Sequence, residues 1–384
     1  MRRSAQPVQL DRRIQIGAAH ITLAVRSGEP SWGELRVRLA EFAAERFLLV
    51  TDGTAPGDHL ARVRALAAAQ APTTLHDLRD GPLPNAPALP GAPASTATAV
   101  TTVIAVGGER ACAVPADVRV PTDLAAACGP ALALRRPAPA AALVWVRADQ
   151  LAAGPAARTR AGLVAVVRHV LAVCPAHYRT VARLLAAEAR HDARTVTALL
   201  ALCADARAAL VCFDPDETGP ALALGYGRSL AAAVRSVAGP ALAPGDADAL
   251  GLLLAAEVAA RLGLADRATG WAHRELLALN GSATTLPRGV DVERLVAAAV
   301  VAARPGLLLL ADLGRPYCSG GRLQTPVDRA VLRAAVEGLA GRAAVPHSRA
   351  ATTARPSVRD AAPEAAPSPE TAPALAPALA PEPA

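Results

Sequence analysis

Two apolar runs that each end in a glycine turn constrain this chain more than any other feature. Arg46 to Thr51 (RFLLVT) reads as a buried strand leading into Asp52-Gly53-Thr54-Ala55-Pro56-Gly57, and TTVIAVGGE at 101–109 repeats the pattern into Gly107-Gly108. Continuous apolar runs bounded by such turns suit strands covered on both faces. Residues 20–26 (HITLAVR), 118–122 (VRVPT) and 142–147 (ALVWVR) read as further strands. Amphipathic helices are expected at 32–45 and from the 52–57 turn to about Ala69. Strand–helix alternation with glycine at strand C-termini gives an α/β fold with an open, mostly parallel, Rossmann-like sheet.

From about residue 150 the texture changes to long Ala/Leu/Arg helices, expected at 156–173, 176–187, 191–212, 221–237, 246–263, 266–279 and 291–303. LLLLADLG at 307–314 reads as a short strand, and the next helix is expected to start with Thr325 as N-cap and Pro326 at its first position. Residues 80–98 form a Pro/Ala/Gly-rich linker, and the last forty or so residues have a composition expected to stay disordered. The expected organisation is an α/β nucleotide-binding-like domain over 1–150 with the linker inside it, an all-α domain over 151–342, and a tail over 343–384. A chain of 384 residues with 52% hydrophobic content supports two such cores.

Composition excludes several functions. All forty basic residues are Arg and none is Lys, so Schiff-base and P-loop lysine chemistry are absent. The net charge of +7 raises nucleic acid as a ligand, but the arginines are dispersed and aromatics make up only 2%. No nucleic-acid partner is expected. The six Cys (112, 128, 174, 203, 212 and 318) form no CxxC pair and suit small reduced core residues. The start MRRSAQPVQLDRR has no apolar signal-peptide core, and no apolar run reaches the roughly 20 residues of a membrane span. A cytoplasmic protein without a membrane partner is the expectation. No GxSxG, HExxH or P-loop motif is present. Asp214, Asp216 and Glu217 read as a cap and solvated turn, and Arg158, Arg160 and Arg168 as one solvated helical face.

Several collinear stretches carry a resemblance. GYGRSLAAAV at 225–234 resembles the EYGHTxGHAI segment of 2-deoxy-scyllo-inosose synthases, and LAPGDADALGLLLAAEVAARLGL at 242–264 is similar to their ITHGEAxAxGMxxAAxxAxxxxL. LLLLADLGRPYCSGGRLQTPVDRAVLRAAVEGL at 307–339 resembles their C-terminal strand, GKP turn and TPV helix, which favours them over the related 3-dehydroquinate synthases. Weaker matches at 47–56, 120–135 and 161–171 extend the likeness over about 20–340, in order. The chain thus resembles the sugar-phosphate cyclases. That family oxidises a sugar phosphate transiently with NAD, eliminates phosphate, returns the hydride and closes a carbocycle, using a divalent metal (zinc or cobalt) held by one Glu and two His.

Here the resemblance places Ala165 at the Glu position, and Arg228 and Pro244 at the two His positions. A methyl group, a permanent cation and a proline ring coordinate nothing, so no metal and no catalytic residues are expected. His169, the nearest alternative, reads as a surface or core residue. The family's glycine-rich dinucleotide turn keeps Gly107 and Gly108, but Glu109 and Arg110 follow and the next helix is expected to be deleted. Asp52, Gly107, Gly108 and Thr122 are the vestigial cofactor positions, and NAD is not expected to bind. The family's cleft lysines fall on Arg135 and Arg168; with Arg228 these form a candidate site for phosphate or a sugar phosphate, although codon drift alone also turns Lys into Arg. Three readings remain: a non-catalytic partner or regulator of an intact cyclase, forming a homodimer or heterodimer; a decayed relic; or an active cyclase, a carbon–oxygen lyase.

Overall fold

The computed structural model describes residues 7–16, 19–83, 101–133, 141–186, 191–239 and 242–341. Most of the 80–98 linker, the 343–384 tail and Arg135 lie outside the described residues. The described residues fall in one compact unit, Met1–Val345.

Seven strands form one sheet: β1 (Gln9–Ile16), β2 (Ala19–Arg26), β3 (Arg46–Thr51), β4 (Thr73–Asp77), β5 (Thr101–Gly107), β6 (Val118–Pro121) and β7 (Leu143–Arg147). Their order is β1-β2-β7-β6-β5-β3-β4, and only the β1–β2 pair is antiparallel. The expected parallel sheet is therefore present, with two edge strands added. Sequence pattern did not single out β1 because Ile14 is its one fully buried side chain; the rest of QLDRRIQI faces outward on an edge. β4 is the opposite edge and is likewise polar and half-exposed.

Both sheet faces are covered. Helices α1 (Ser31–Ala40) and α2 (Gly57–Ala68) pack Trp32, Leu35, Leu39 and Val63 against Phe47, Leu49, Ile104 and Trp145. Among the described residues, β5 is followed by two short helices, α3 (Glu109–Cys112) and α4 (Leu124–Cys128), and a 3-10 turn, Pro130–Leu132, and α5 (Ala148–Ala153) follows β7. On the second face, Ile21, Leu23, Val25, Val144 and Val146 share one core with the helices beyond residue 150. These are α6 (Ala156–Ala172), α7 (Tyr178–Leu185), α8 (Ala193–Val211), α9 (Arg228–Ala238), α10 (Asp246–Arg261), α11 (Arg267–Leu279) and α12 (Val292–Ala302). The strand expected at 307–314 splits into β8 (Leu307–Leu308) and β9 (Leu310–Asp312), which pair with β11 (Gln324–Thr325) and β10 (Arg315–Pro316) respectively. Helix α13 (Arg329–Ala340) closes the described chain.

Four helix boundaries differ from expectation. The helix expected at 32–45 ends at Ala40, ahead of Ala43 at φ 46°. The single helix at 221–237 is a 3-10 segment, Pro220–Gly225, followed by α9, because Gly227 takes a left-handed conformation (φ 74°) that restarts the chain in a new direction. The 176–187 helix likewise opens as a 3-10 turn, Pro175–His177, before α7. Thr325 caps no helix: it is paired with Leu307 in β11, and the last helix begins at Arg329 with Asp328 at its N-cap position.

Candidate functional site

Strands β3, β5 and β6 are parallel neighbours, so their C-terminal turns converge on one edge. That edge and the N-terminal parts of α6 and α10 enclose a cleft of 590 Å³. Its walls include Asp52, Thr54, Gly108, Glu109, Asp123, Arg158, Ala165, Arg168, Pro244 and Asp248.

The four vestigial cofactor positions do meet here, but they bind one another. The Asp52 carboxylate accepts hydrogen bonds from the backbone amides of Gly108 (3.2 Å) and Ala111 (3.0 Å) and from the Thr54 amide (3.2 Å) and hydroxyl (2.6 Å). Burial disfavours the charged form, yet these donors outweigh it and hold the Asp52 pKa below its ordinary value. Gly107 is required beside it, with φ 155° and a Cβ position that would lie 2.4 Å from Asp52 Oδ1. The Thr122 amide donates to Gly107 O at 2.9 Å. A dinucleotide turn offers free amides to a pyrophosphate at the start of a helix. In this chain a carboxylate already occupies those amides, and the helix they open, α3, has four residues. The residues present do not fit an NAD pyrophosphate.

The metal positions fit no better. Ala165 and Pro244 both line the cleft and offer only carbon from their side chains. Among the described residues no group of three or more His, Cys, Asp or Glu could hold a metal ion. His169 is 3% exposed in the core; its Nδ1–H donates to Ala165 O at 2.7 Å, and Cys203 Sγ lies 3.8 Å from the same nitrogen.

Of the three candidate anion-binding arginines, Arg135 lies outside the described residues, and Arg168 and Arg228 differ from each other in their surroundings. Arg168, 3% exposed, donates to Tyr226 O (2.9 Å) and to Asp248 (2.7 Å). Asp248 also accepts from Arg235 at 2.7 Å. Asp248 was not singled out from sequence; its position in the first turn of α10, where acids are ordinary, masks its role as counter-ion. Arg228 lines a separate cavity of 230 Å³ with Ser229, Gln324 and Gly306. Its guanidinium makes no ion pair or hydrogen bond among the described residues. Although solvent reaches it, crowding by protein and then the charges of Arg168 and Arg207 pull its pKa down to about 10. Arg158, Arg160 and Arg168 do not share a solvated face. Arg158 and Arg168 face the cleft, whereas Arg160 lines a different cavity, as the 200° between positions 158 and 160 of a helix dictates.

Charge in the cleft is balanced: Asp52, Glu109, Asp123 and Asp248 face Arg110, Arg158, Arg168 and Arg235. Loss of solvation, then the nearby carboxylates Asp248 and Asp123, push the Glu109 pKa up, and burial does the same to Asp123. Asp214, as expected, is a cap: it accepts from the amides of Thr218, Gly219 and Ala221, while Glu217 pairs with the buried Arg207 at 2.5 Å.

Residues 162–301 match the family model of the 3-dehydroquinate synthase C-terminal domain. Over 208 residues the chain is 35% identical to the 2-deoxy-scyllo-inosose synthase of Streptomyces lividus, which covers 51% of this chain and 54% of that protein. The Micromonospora echinospora enzyme of the same name is 30% identical over 196 residues, 48% of this chain and 49% of that protein. The chain thus spans about half the length of the curated relatives it matches. A crystal structure of 2-deoxy-scyllo-inosose synthase with carbaglucose-6-phosphate, NAD+ and Co2+ superposes with a TM-score of 0.71 at 17% identity, covering 86% of this chain and 99% of that one. ValA, the 2-epi-5-epi-valiolone synthase of Streptomyces hygroscopicus subsp. jinggangensis 5008 with NAD+ and Zn2+ bound, gives 0.59 at 17% identity, covering 85% and 99%.

A parallel sheet whose C-terminal edge faces a helical half across a cleft is the 3-dehydroquinate synthase-like fold. Over about half its length the chain is also similar in sequence to the 2-deoxy-scyllo-inosose synthases. Among the described residues, no helix is long and apolar enough to cross a membrane.

Proposed function

We propose that this 2-deoxy-scyllo-inosose synthase-like protein has lost catalysis and acts as a cytoplasmic, non-catalytic partner or regulator of an intact sugar-phosphate cyclase, as one half of a dimer. The observation that carries the reading is the donor set in the cleft. Ala165 and Pro244 line it with carbon-only side chains, and Arg228, at the third ligand position, is a cation. A metal that polarises a carbonyl needs several fixed nitrogen or oxygen ligands. The Asp52-filled turn supports the same reading for NAD. The ligand proposed at Arg228 is inorganic phosphate or a sugar phosphate, held without turnover.

The test is elemental analysis together with a phosphate-release assay on glucose 6-phosphate, supplied with NAD and cobalt. The expected result is no stoichiometric zinc or cobalt and no phosphate above a heat-killed control. One tightly held metal equivalent per chain, or cofactor-dependent phosphate release, restores an active cyclase.

A further inference from the structure

The sheet ends in two edges of different length. β4 has five residues, whereas β1 has eight and stays in register with β2 from Gln9–Arg26 to Ile16–Ala19. The direction of each backbone group along β1 follows from β2. The Thr22 amide donates to Ala142 O, toward β7, and the Ser27 amide donates to Val8 O, toward β1. Such groups alternate along an antiparallel ladder, so even-numbered residues of β1 bond β2 and odd-numbered ones turn their amides and carbonyls outward. Among the described residues no strand pairs with that outer side, and the amides of Asp11 and Arg13 meet no acceptor. The Asp11 carbonyl is met by the exposed Arg12 guanidinium at 3.3 Å.

An open edge of this length invites pairing, and charged side chains are the usual defence. Asp11, Arg12 and Arg13 supply the charge here, but they leave one pairing open. Two copies joined edge to edge by a two-fold axis run antiparallel, and facing residues lie on the same side of the joined sheet. The two numbers of a facing pair are then both even or both odd. Centred on Arg13, the ladder sets Arg13 against itself; centred on Asp11, it sets two carboxylates together. Centred on Arg12, it sets Asp11 of each copy against Arg13 of the other, and Leu10 against Ile14. Arg12 then meets its own copy, but each Arg12 already pairs with Asp205 at 3.1 Å. Asp11 is held for the contact: the buried Arg26 donates to both its oxygens, at 2.8 and 3.0 Å, and leaves the side chain 45% exposed. Arg13 reaches His20 Nδ1 at 3.1 Å and, among the described residues, no carboxylate.

We infer that the chain pairs with a second copy of itself along β1, in the register centred on Arg12, so that the two sheets become one. Backbone bonds through Asp11 and Arg13 of each copy join the edges, and the two Asp11–Arg13 pairs select the register. The inference names a surface for the dimer proposed above; it does not rest on the loss of catalysis, and no cleft residue enters it.

Size exclusion with light scattering on the full chain, over a dilution series, is expected to show a dimer. Arg13→Glu, at an exposed position, sets two carboxylates together twice across the two-fold axis and is expected to weaken association about tenfold or more. Register is read by cysteine cross-linking. Two copies of residue 12 face each other with Cα atoms about 4.5 Å apart, within disulfide reach, whereas two copies of residue 13 lie roughly 9 Å apart, beyond it. Under diamide, Arg12→Cys is expected to run as a covalent dimer on a non-reducing gel. Arg13→Cys is expected to match wild type, whose exposed Cys212 and Cys318 set the background. A dimer that Arg13→Glu leaves intact, or Arg13→Cys cross-linking as readily as Arg12→Cys, overturns the assignment. A chain that is monomeric alone overturns it too, even where coexpression with an intact cyclase still yields a mixed dimer and so upholds the partner reading.

Discussion

Replacing Asp52 by Ala is the most direct way to ask whether the dinucleotide turn is closed by its own side chain. The carboxylate is 8% exposed and holds the amides of Gly108 and Ala111, and neither amide has another acceptor among the described residues. Leaving a buried donor unsatisfied costs about 1–3 kcal/mol. Both amides border a cleft that water enters, so the lower half of that range applies to each, for a total of about 2–4 kcal/mol. The pH dependence follows from the sign of the shift. The folded Asp52 pKa lies below the unfolded one, so its contribution is complete above the unfolded value and is lost as pH falls through the folded value. The variant lacks that contribution, so its deficit is full at neutral pH and begins to narrow only below about pH 4, as pH falls toward the folded value. Vacating the amides also creates an anion site that the wild type fills internally. Acetate at several times its Kd is expected to return about 1 kcal/mol to Asp52→Ala and nothing specific to wild type. Chemical denaturation at pH 7 and pH 3, with and without acetate, reads all three effects. An unchanged midpoint at pH 7, or a deficit of equal size at pH 3, refutes the reasoning.

Phosphate is expected to raise the melting temperature of wild type, with the rise lost in Arg228→Ala; equal stabilisation of both proteins reduces the effect to general ion exclusion. Coexpression with an intact cyclase from the same genome is expected to give a mixed dimer, and only separate species on size exclusion and pull-down removes the partner role. Gly251→Ala is expected to destabilise by about 1–3 kcal/mol, since its Cβ position lies 2.5 Å from Gly227 O and 2.6 Å from the Ala231 amide. Gly270→Ala, with nothing within 4 Å in α11, is the control and is expected to stabilise by about 0.5–1 kcal/mol; a thermal melt that ranks the two the other way refutes the close helix crossing.

The central strands were legible because a strand buried on both faces is written as a short unbroken apolar run, and the glycine turns after RFLLVT and TTVIAV set them apart from buried helix. Edge strands β1 and β4 carry little apolar signal, so sequence pattern passed over them. Motif register located the cleft: Ala165, Pro244, Arg168, Asp52 and Gly108 all line it. The state of its charges was not legible. Side-chain pairing across 80 residues, as between Arg168 and Asp248, leaves no local pattern, and so the sequence suggests an anion at Arg168 where the fold has a carboxylate. The occupation of the Gly108 and Ala111 amides by Asp52 is hidden for the same reason, since β3 and β5 become neighbours only in the folded sheet.

The proposed loss of catalysis and a loss of structure would make different demands on a sequence, and the buried charges bear on the choice between a folded partner and a decayed relic. A chain drifting without constraint to fold would gather buried cations without counter-ions, each costing several kcal/mol. Instead Arg26 meets Asp11 and Glu34, Arg147 meets Asp149, Arg168 meets Asp248 and Arg207 meets Glu217, with all four arginines under 5% exposed. The close helix approaches are also intact. The Cβ position of Gly162 lies 2.5 Å from Leu124 Cβ, where α6 crosses α4, and Gly251 is as tight against α9. Three residues further along α6, Ala165 offers the cleft a methyl group. Packing on that helix is strict on the face that builds the fold, while the face that would hold a metal carries no donor. This is the distribution expected of the proposed non-catalytic partner, which would need a folded surface and no reaction centre.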